Sequence, residues 1–364
     1  MLYMLASHGF HHGHITVLNL LRYISFRAGC ACLTALILSL ILGKPFITAL
    51  RRIQRHGQPI RTLGPERHII EKAGTPTMGG VLILTTLSLS TLLWSDLSNG
   101  FIWAVWLTML GFGAVGFIDD YRKLAQNDTK GLSKRSRLST EFLISLLCGL
   151  WLQSLMPKAL AYTLVFPFVK DFVLPLGFLY LIFIMITITG FGNAVNFTDG
   201  LDGLAIGAVL IATLVFAILC YLVGNHSFAD YLQIHAVHGT GELAVFCAAL
   251  IGSGLGFLWF NAPPASVFMG DTGSLSLGGG LGALSVAIKH ELVLCIVGGL
   301  FVAETFSVII QVLWYKRTKR RVFLMAPIHH HFEKKGWAEP KIVIRFWIIA
   351  LVLGLCGLAT LKLR

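Results

Sequence analysis

The sequence predicts an all-α, polytopic integral membrane protein of about ten transmembrane helices. Three observations lead there. Of 364 residues, 55% are apolar and only 13% are charged, where a soluble domain carries about 25% charged residues. The mean hydropathy is +0.77. Apolar runs near the ~20 residues that a helix needs to cross the hydrocarbon alternate with short charged stretches. So few polar side chains cannot clothe a water-facing surface, which excludes a cytosolic enzyme, a secreted domain and a disordered tail.

In chain order the expected spans are Ala28–Leu50, Gly79–Trp94, Phe101–Ile118, Glu141–Met156, Val173–Thr189, Leu204–Val223, Glu242–Phe260, Leu275–Ile288, Leu292–Leu313 and Ile342–Lys362. Only Lys289, His290 and Glu291 separate the eighth from the ninth. Ten spans place both termini on one side and five loops on the other: Arg51–Met78, Asp119–Ser139, Gly190–Gly203, Asn261–Ser274 and Trp314–Lys341. These loops hold six, six, none, none and eight Lys and Arg residues, whereas the opposite loops hold Lys158, Lys170 and Lys289. By the positive-inside rule the five loops are cytoplasmic and both termini periplasmic. That asymmetry explains the net charge of +12 without invoking nucleic acid. No linker or repeat divides the chain, so residues 1–364 read as one membrane-embedded domain. All seven cysteines lie in apolar stretches with no CxxC pair, as buried small hydrophobes do. Met1–His14 lacks the basic region of a cleavable signal peptide.

Five acids escape the topological explanation: Asp119, Asp120, Asp199, Asp202 and Asp271. Each falls at the cytoplasmic end of an expected span, and two of their three loops contain no Lys or Arg. Any one of them could be a helix cap or a surface charge. Carboxylates gathered at one depth repel each other, and a bound cation or proton usually offsets that cost. In DDYRK, Asp119 and Asp120 follow an apolar run and point about 100° apart on a helix, so one can face a metal and the other a neighbouring group. In NFTDGLDGLA, Asn196, Asp199 and Asp202 form one stripe if the segment is helical. Gly200 and Gly203 there would allow close approach to the backbone. In NAPPASVFMGDTGSL, Pro263–Pro264 end a helix and Asp271 reads as a cap for the next, where an anionic phosphate would also sit well. Oxygen ligands without cysteine favour a hard cation such as Mg²⁺, held by one or two carboxylates together with substrate phosphates. Lys72 and Lys123 flank this centre, while the basic cluster Lys316–Arg321 meets anionic lipid headgroups. In PIHHHFEKKGW, three successive histidines cannot converge on one metal in regular structure. They suit a substrate-binding loop, since imidazoles hydrogen-bond carboxylate, phosphate or sugar groups.

With KAGTPTMGG (Lys72–Gly80), DDYRK (Asp119–Lys123), NFTDGLDGLA (Asn196–Ala205), FMGDTGSL (Phe268–Leu275) and PIHHHFEKKGW (Pro327–Trp337) in that order, the chain resembles the polyprenyl-phosphate N-acetylhexosamine-1-phosphate transferase superfamily. The last block resembles its phospho-N-acetylmuramoyl-pentapeptide transferase branch. The resemblance implies Mg²⁺-dependent transfer of phospho-MurNAc-pentapeptide from UDP-MurNAc-pentapeptide to undecaprenyl phosphate at the bacterial inner membrane, releasing UMP and the first lipid-linked peptidoglycan intermediate. It also implies a homodimer. It makes Asp271, with Asp120, the Mg²⁺ ligands and sets Asp119 and Asp120 beside the metal and the lipid phosphate. Lys72, Thr77, Asn196, Asp199, Gly200, Leu201, Asp202, Asn261 and Phe268 would line the nucleotide and sugar pocket, with Lys123 beside the acids. His329, His330 and His331 would lie near the sugar-peptide end.

Two schemes remain open. In one the polyprenyl phosphate oxygen attacks the donor's β-phosphorus directly, with Asp119 as base or orienter; in the other an aspartate is the nucleophile. Other classes compete as well. A transporter would place its acids nearer the bilayer midplane, and a lipid-binding scaffold would explain the basic loops but not the acids. Within the enzyme class the runner-up is a UDP-N-acetylglucosamine transferase.

Overall fold

In the computed structural model, residues 2–3, 16–54, 74–126, 131–169 and 172–362 are described. Helices follow the apolar runs: α1 (Ile24–Ile53), α2 (Gly80–Trp94), α3 (Gly100–Gln126), α4 (Lys134–Leu155), α5 (Leu179–Thr198), α6 (Leu204–Val223), the short α7 (His226–Leu232), α8 (Leu243–Asn261), α9 (Gly270–Ala287), α10 (Glu291–Val297), α11 (Gly299–Thr318), α12 (Ile328–Lys334) and α13 (Glu339–Ala359). Among the described residues, eight helices are long and apolar enough to cross a membrane, and α2 is a shorter apolar one. The protein is an all-α, multi-pass membrane protein.

The bundle is organised around α9. Every residue from Thr272 to Ala287 is buried, against α3 and α5 on two sides and α2 on a third. A helix buried all round needs a slim surface rather than a greasy one, and GDTGSLSLGGGLGALSVA supplies it with small residues at most positions. Around this axis α8 packs between α1 and α6, and α13 lies on α6. The outer helices turn Leu33, Ile37 and Ile41 of α1, Leu143 and Leu147 of α4, Phe306 and Leu313 of α11, and Ile348 and Leu355 of α13 away from the protein. In a membrane chain these are lipid-facing side chains.

Four expected boundaries are corrected by local chemistry. The fifth span does not begin at Val173. Residues Val173–Pro175 form a strand, β2, antiparallel to β1 (Thr163–Val165), with Leu164 opposite Leu174. Pro175 and the left-handed Gly177 (φ 55°) then turn the chain before α5 starts at Leu179. The ninth span is two helices, α10 and α11, parted at Gly298. The third runs past Ile118 to Gln126, so DDYRK is helical, and Lys123 pairs with Asp119 one turn back. The eighth starts at Gly270, which places Asp271 inside the first turn of α9 rather than at its cap.

At the end of α9 away from the acids, Lys289 Nζ donates to the Thr163 carbonyl and lies 3.7 Å above the Tyr180 ring, whose hydroxyl donates to Glu291. This buried group fastens the β1–β2 hairpin to the bundle.

Candidate active site

Two helix ends meet to build the acidic centre. α3 delivers Asp119, Asp120 and Lys123 from its last two turns, and α9 delivers Asp271 from its first. Asp120 is 1% exposed and acts as an acceptor for the start of α9. Its Oδ1 takes the Asp271 amide (3.1 Å), and its Oδ2 takes the Thr272 amide (2.9 Å) and hydroxyl (2.7 Å). A carboxylate from a neighbouring helix thus does the work of an N-cap, satisfying donors that the sequence assigned to Asp271. Gly270 is required at this junction: its φ is +75°, and a methyl group there would come within 2.6 Å of Asp120 Oδ2 and 2.8 Å of Thr77 Oγ1.

Asp119 and Asp271 face each other across Lys123. Nζ lies 2.6 Å from Asp119 Oδ2 and 2.6 Å from Asp271 Oδ2. The second oxygen of Asp119 accepts from the Leu132 amide (2.5 Å), and that of Asp271 accepts from Asn196 Nδ2 (2.6 Å). A second cation, Arg137, stands 3.5 Å from Asp271 Oδ2. It is held by Asn193 Oδ1 (2.7 Å) and by Glu141 one turn further along α4, a helix that begins where Ser133 caps the Ser136 amide. Arg137, Glu141 and Asn193 were not singled out in the sequence. Arg137 was absorbed into the loop charge count, although its i,i+4 spacing to Glu141 on a helix start was a readable signal.

The second cluster is the turn between α5 and α6. α5 ends at Thr198, so Asn196, Asp199 and Asp202 do not form one helical stripe. Asn196 faces Asp271, while Asp202 sits in the turn, its Oδ2 accepting from the Ala265 amide (3.0 Å) and its own amide donating to Glu339 Oε1 (2.7 Å). Asn261 ties the same turn down by accepting from the Gly203 amide (3.0 Å) and donating to the Val267 carbonyl (2.9 Å). Leu201 is buried and Asp199 caps the end of α5. Phe268, half-buried, ties the segment before α9 to the one before α2 through its backbone: its amide donates to the Pro76 carbonyl (2.8 Å) and its carbonyl accepts from the Gly79 amide (2.9 Å). Thr77 is buried next to Gly270, with its backbone gripped by Gln54. Lys72 lies outside the described residues.

The three histidines of α12 diverge. His329 is fully buried, its Nδ1 3.1 Å from a carboxylate oxygen of Glu304 in α11. His330 Nδ1 lies 2.9 Å from Glu333 Oε2, and His331 Nδ1 accepts from the Leu324 amide (3.1 Å). That bond leaves the His331 proton on Nε2, and burial with nearby Lys335 holds its pKa below the usual value. Gly200 receives the His329 ring rather than open space: a methyl group at Gly200 would lie 2.3 Å from Nε2. Gly200→Ala is therefore expected to lower stability by about 1–3 kcal/mol, as overpacking does, and to impair use of the donor. Thermal melting in detergent alongside donor kinetics checks this; wild-type behaviour in both would show the ring free to move aside.

Hard carboxylate oxygens, two cations and a helix N-terminus at one end of a membrane bundle are the equipment of an enzyme that handles phosphates at a bilayer surface. The comparisons agree. The model of Glycosyl transferase family 4 matches residues 102–289, and phospho-N-acetylmuramoyl-pentapeptide-transferase signature 1 matches residues 72–84. Curated relatives called phospho-N-acetylmuramoyl-pentapeptide-transferase include one from Gluconacetobacter diazotrophicus, 74% identical over the whole of both chains. Another, from Gluconobacter oxydans, is 73% identical over 99% of each chain, and one from Granulibacter bethesdensis is 63% identical over 95% of this chain and 96% of its own. The chain belongs to the phospho-N-acetylmuramoyl-pentapeptide-transferase family.

Proposed function

We propose that this protein moves phospho-MurNAc-pentapeptide from its UDP carrier to undecaprenyl phosphate at the cytoplasmic face of the bacterial inner membrane, releasing UMP in a Mg²⁺-dependent reaction. The observation that carries this reading is the convergence of Asp119 and Asp271 on one point, with Lys123 and Arg137 beside them. Among the described residues no group of three or more His, Cys, Asp or Glu side chains is arranged around a metal site. Mg²⁺ asks for less, one or two carboxylates with phosphate and water completing its shell. Asp271 and Asp119 fit that role. Asp120, expected with Asp271 as a ligand, has its oxygens engaged by three donors of α9 and would instead fix where Asp271 stands.

When bound, the cation would neutralise the donor's diphosphate and stabilise the departing UMP. Lys123 and Arg137 would add positive charge around the transferred phosphoryl group. Asp119, held by the Leu132 amide, would orient the attacking lipid phosphate, which reaches the site from the headgroup plane. The turn Gly200–Gly203, braced by Asn261, Glu339 and His329, would receive the nucleotide and sugar. Detergent-purified protein given undecaprenyl phosphate and Mg²⁺ should release UMP from UDP-MurNAc-pentapeptide and not from UDP-N-acetylglucosamine. Release from the second donor alone would discard the substrate, and no release from either in well-folded protein would discard the reaction.

A further inference from the structure

Glu304 is a carboxylate in the body of an apolar helix. It lies in α11, one of the helices apolar enough to cross a membrane, and its side chain is completely buried. An ionisable group in such a place is costly unless it is paired and is normally kept for a function. Among the described residues its ion-pair partner is His329, whose Nδ1 is 3.1 Å from Oε2. Among the described residues, neither oxygen of Glu304 and neither ring nitrogen of His329 has a well-aligned hydrogen bond, and the 3.1 Å approach between Nδ1 and Oε2 is an ion-pair distance. Two buried polar groups with no other hydrogen-bonding or ion-pair partner among the described residues face each other, so each is the other's reason to be there.

The two edges of the imidazole meet different things. Nδ1 faces Glu304 of α11, and Nε2 lies against Gly200, in the turn that carries Asp199 and Asp202. The ring is a strut between a membrane helix and that turn. A carboxylate at Nδ1 selects the tautomer with the proton on Nδ1 and leaves the Nε2 lone pair facing the turn. A carboxylate beside a histidine fixes the orientation of its ring.

We propose that Glu304 is a positioning residue for the transfer reaction: acting through His329, it sets the orientation of the imidazole and the placement of the Gly200–Asp202 turn that would receive the donor. This rests on the donor-site reading of the α12 histidines given above. Nothing in the sequence pattern pointed to Glu304, because it sits in an apolar run well before the histidine motif.

The test is a double-mutant cycle on purified protein, using Glu304→Gln, His329→Asn and their combination, with UMP release measured against UDP-MurNAc-pentapeptide concentration. Glu304→Gln keeps the side-chain volume and removes the charge. It should lower kcat by about 30-fold or more while the melting temperature and the KM for undecaprenyl phosphate stay close to wild type. The double variant should be no slower than the slower single one, because both changes break one unit. Glu304→Asp, which keeps the charge, should recover part of the loss and covers the case in which the Gln variant folds poorly. If His329→Asn turns over like wild type, the donor-site reading of that histidine and the proposal fall together. If His329→Asn is impaired but Glu304→Gln is not, or if the two losses multiply, the proposal alone falls.

Discussion

Asp271→Asn is expected to reduce UMP release by roughly a thousandfold, the scale of removing a principal charge-stabilising group from an active site. The structure explains why the loss should be chemical rather than structural. Asparagine is nearly isosteric and still offers an oxygen to the Asn196 amide, which donates to Asp271 Oδ1 at 2.6 Å. Lys123 keeps its contact with Asp119, and the start of α9 stays satisfied by Asp120, which accepts from the residue 271 backbone amide rather than from its side chain. The substitution therefore removes one negative charge from the point where Asp119 and Asp271 converge and leaves the scaffold in place. Turnover should fall while the melting temperature moves by a few degrees at most, and raising Mg²⁺ should recover a small part of the rate. Near-wild-type turnover at saturating donor would remove Asp271 from the reaction.

That expectation depends on a feature the sequence showed only in part. The gathering of acids at one membrane boundary was legible, because Asp119, Asp120 and Asp271 each end or begin an apolar run in loops on the same side. The division of labour among them was not. Asp119 and Asp120 are adjacent and chemically identical, and only the arrival of α9 against the end of α3 decides that Asp120 meets three donors while Asp119 meets Lys123. Spacing within one segment cannot report which foreign helix will dock on it. The same limit applies to NFTDGLDGLA, whose i, i+3, i+6 pattern suggested a single face. The helix stops at Thr198, so Asn196 and Asp202 turn to different partners. A ruler based on apolar length placed the lipid-facing helices well but misplaced ends where polar residues continue a helix, as in DDYRKLAQ, or where Pro175 and Gly177 delay one. Nor could it show the pairing of Arg137 with Asn193, which comes from α5, or that of Gln54, which holds the Thr77 backbone from the end of α1.

Lys123→Met should expose the electrostatic cost that the native site keeps hidden. The ammonium lies 2.6 Å from a carboxylate oxygen on each side, and the Asp119 and Asp271 side chains are only 4% and 17% exposed. Methionine fills the same space without charge, leaving two carboxylates to repel each other in poor solvent. Removing one member of a buried ion pair costs about 3–5 kcal/mol. Arg137, 3.5 Å from Asp271, and the partial exposure of Lys123 itself should hold the loss nearer the lower end. The variant should therefore melt several degrees below wild type in metal-free buffer. Mg²⁺ should then raise its melting temperature by more than it raises that of the wild type, because a divalent cation held by Asp119 and Asp271 would supply the missing positive charge. Lys123→Arg should restore much of the stability but little of the turnover, since a planar guanidinium cannot place one compact charge between both carboxylates. A Met variant that melts like wild type without Mg²⁺ would mean that the carboxylates are not both ionised there. A variant whose melting ignores added Mg²⁺ would remove Asp119 and Asp271 as the pair that holds the cation.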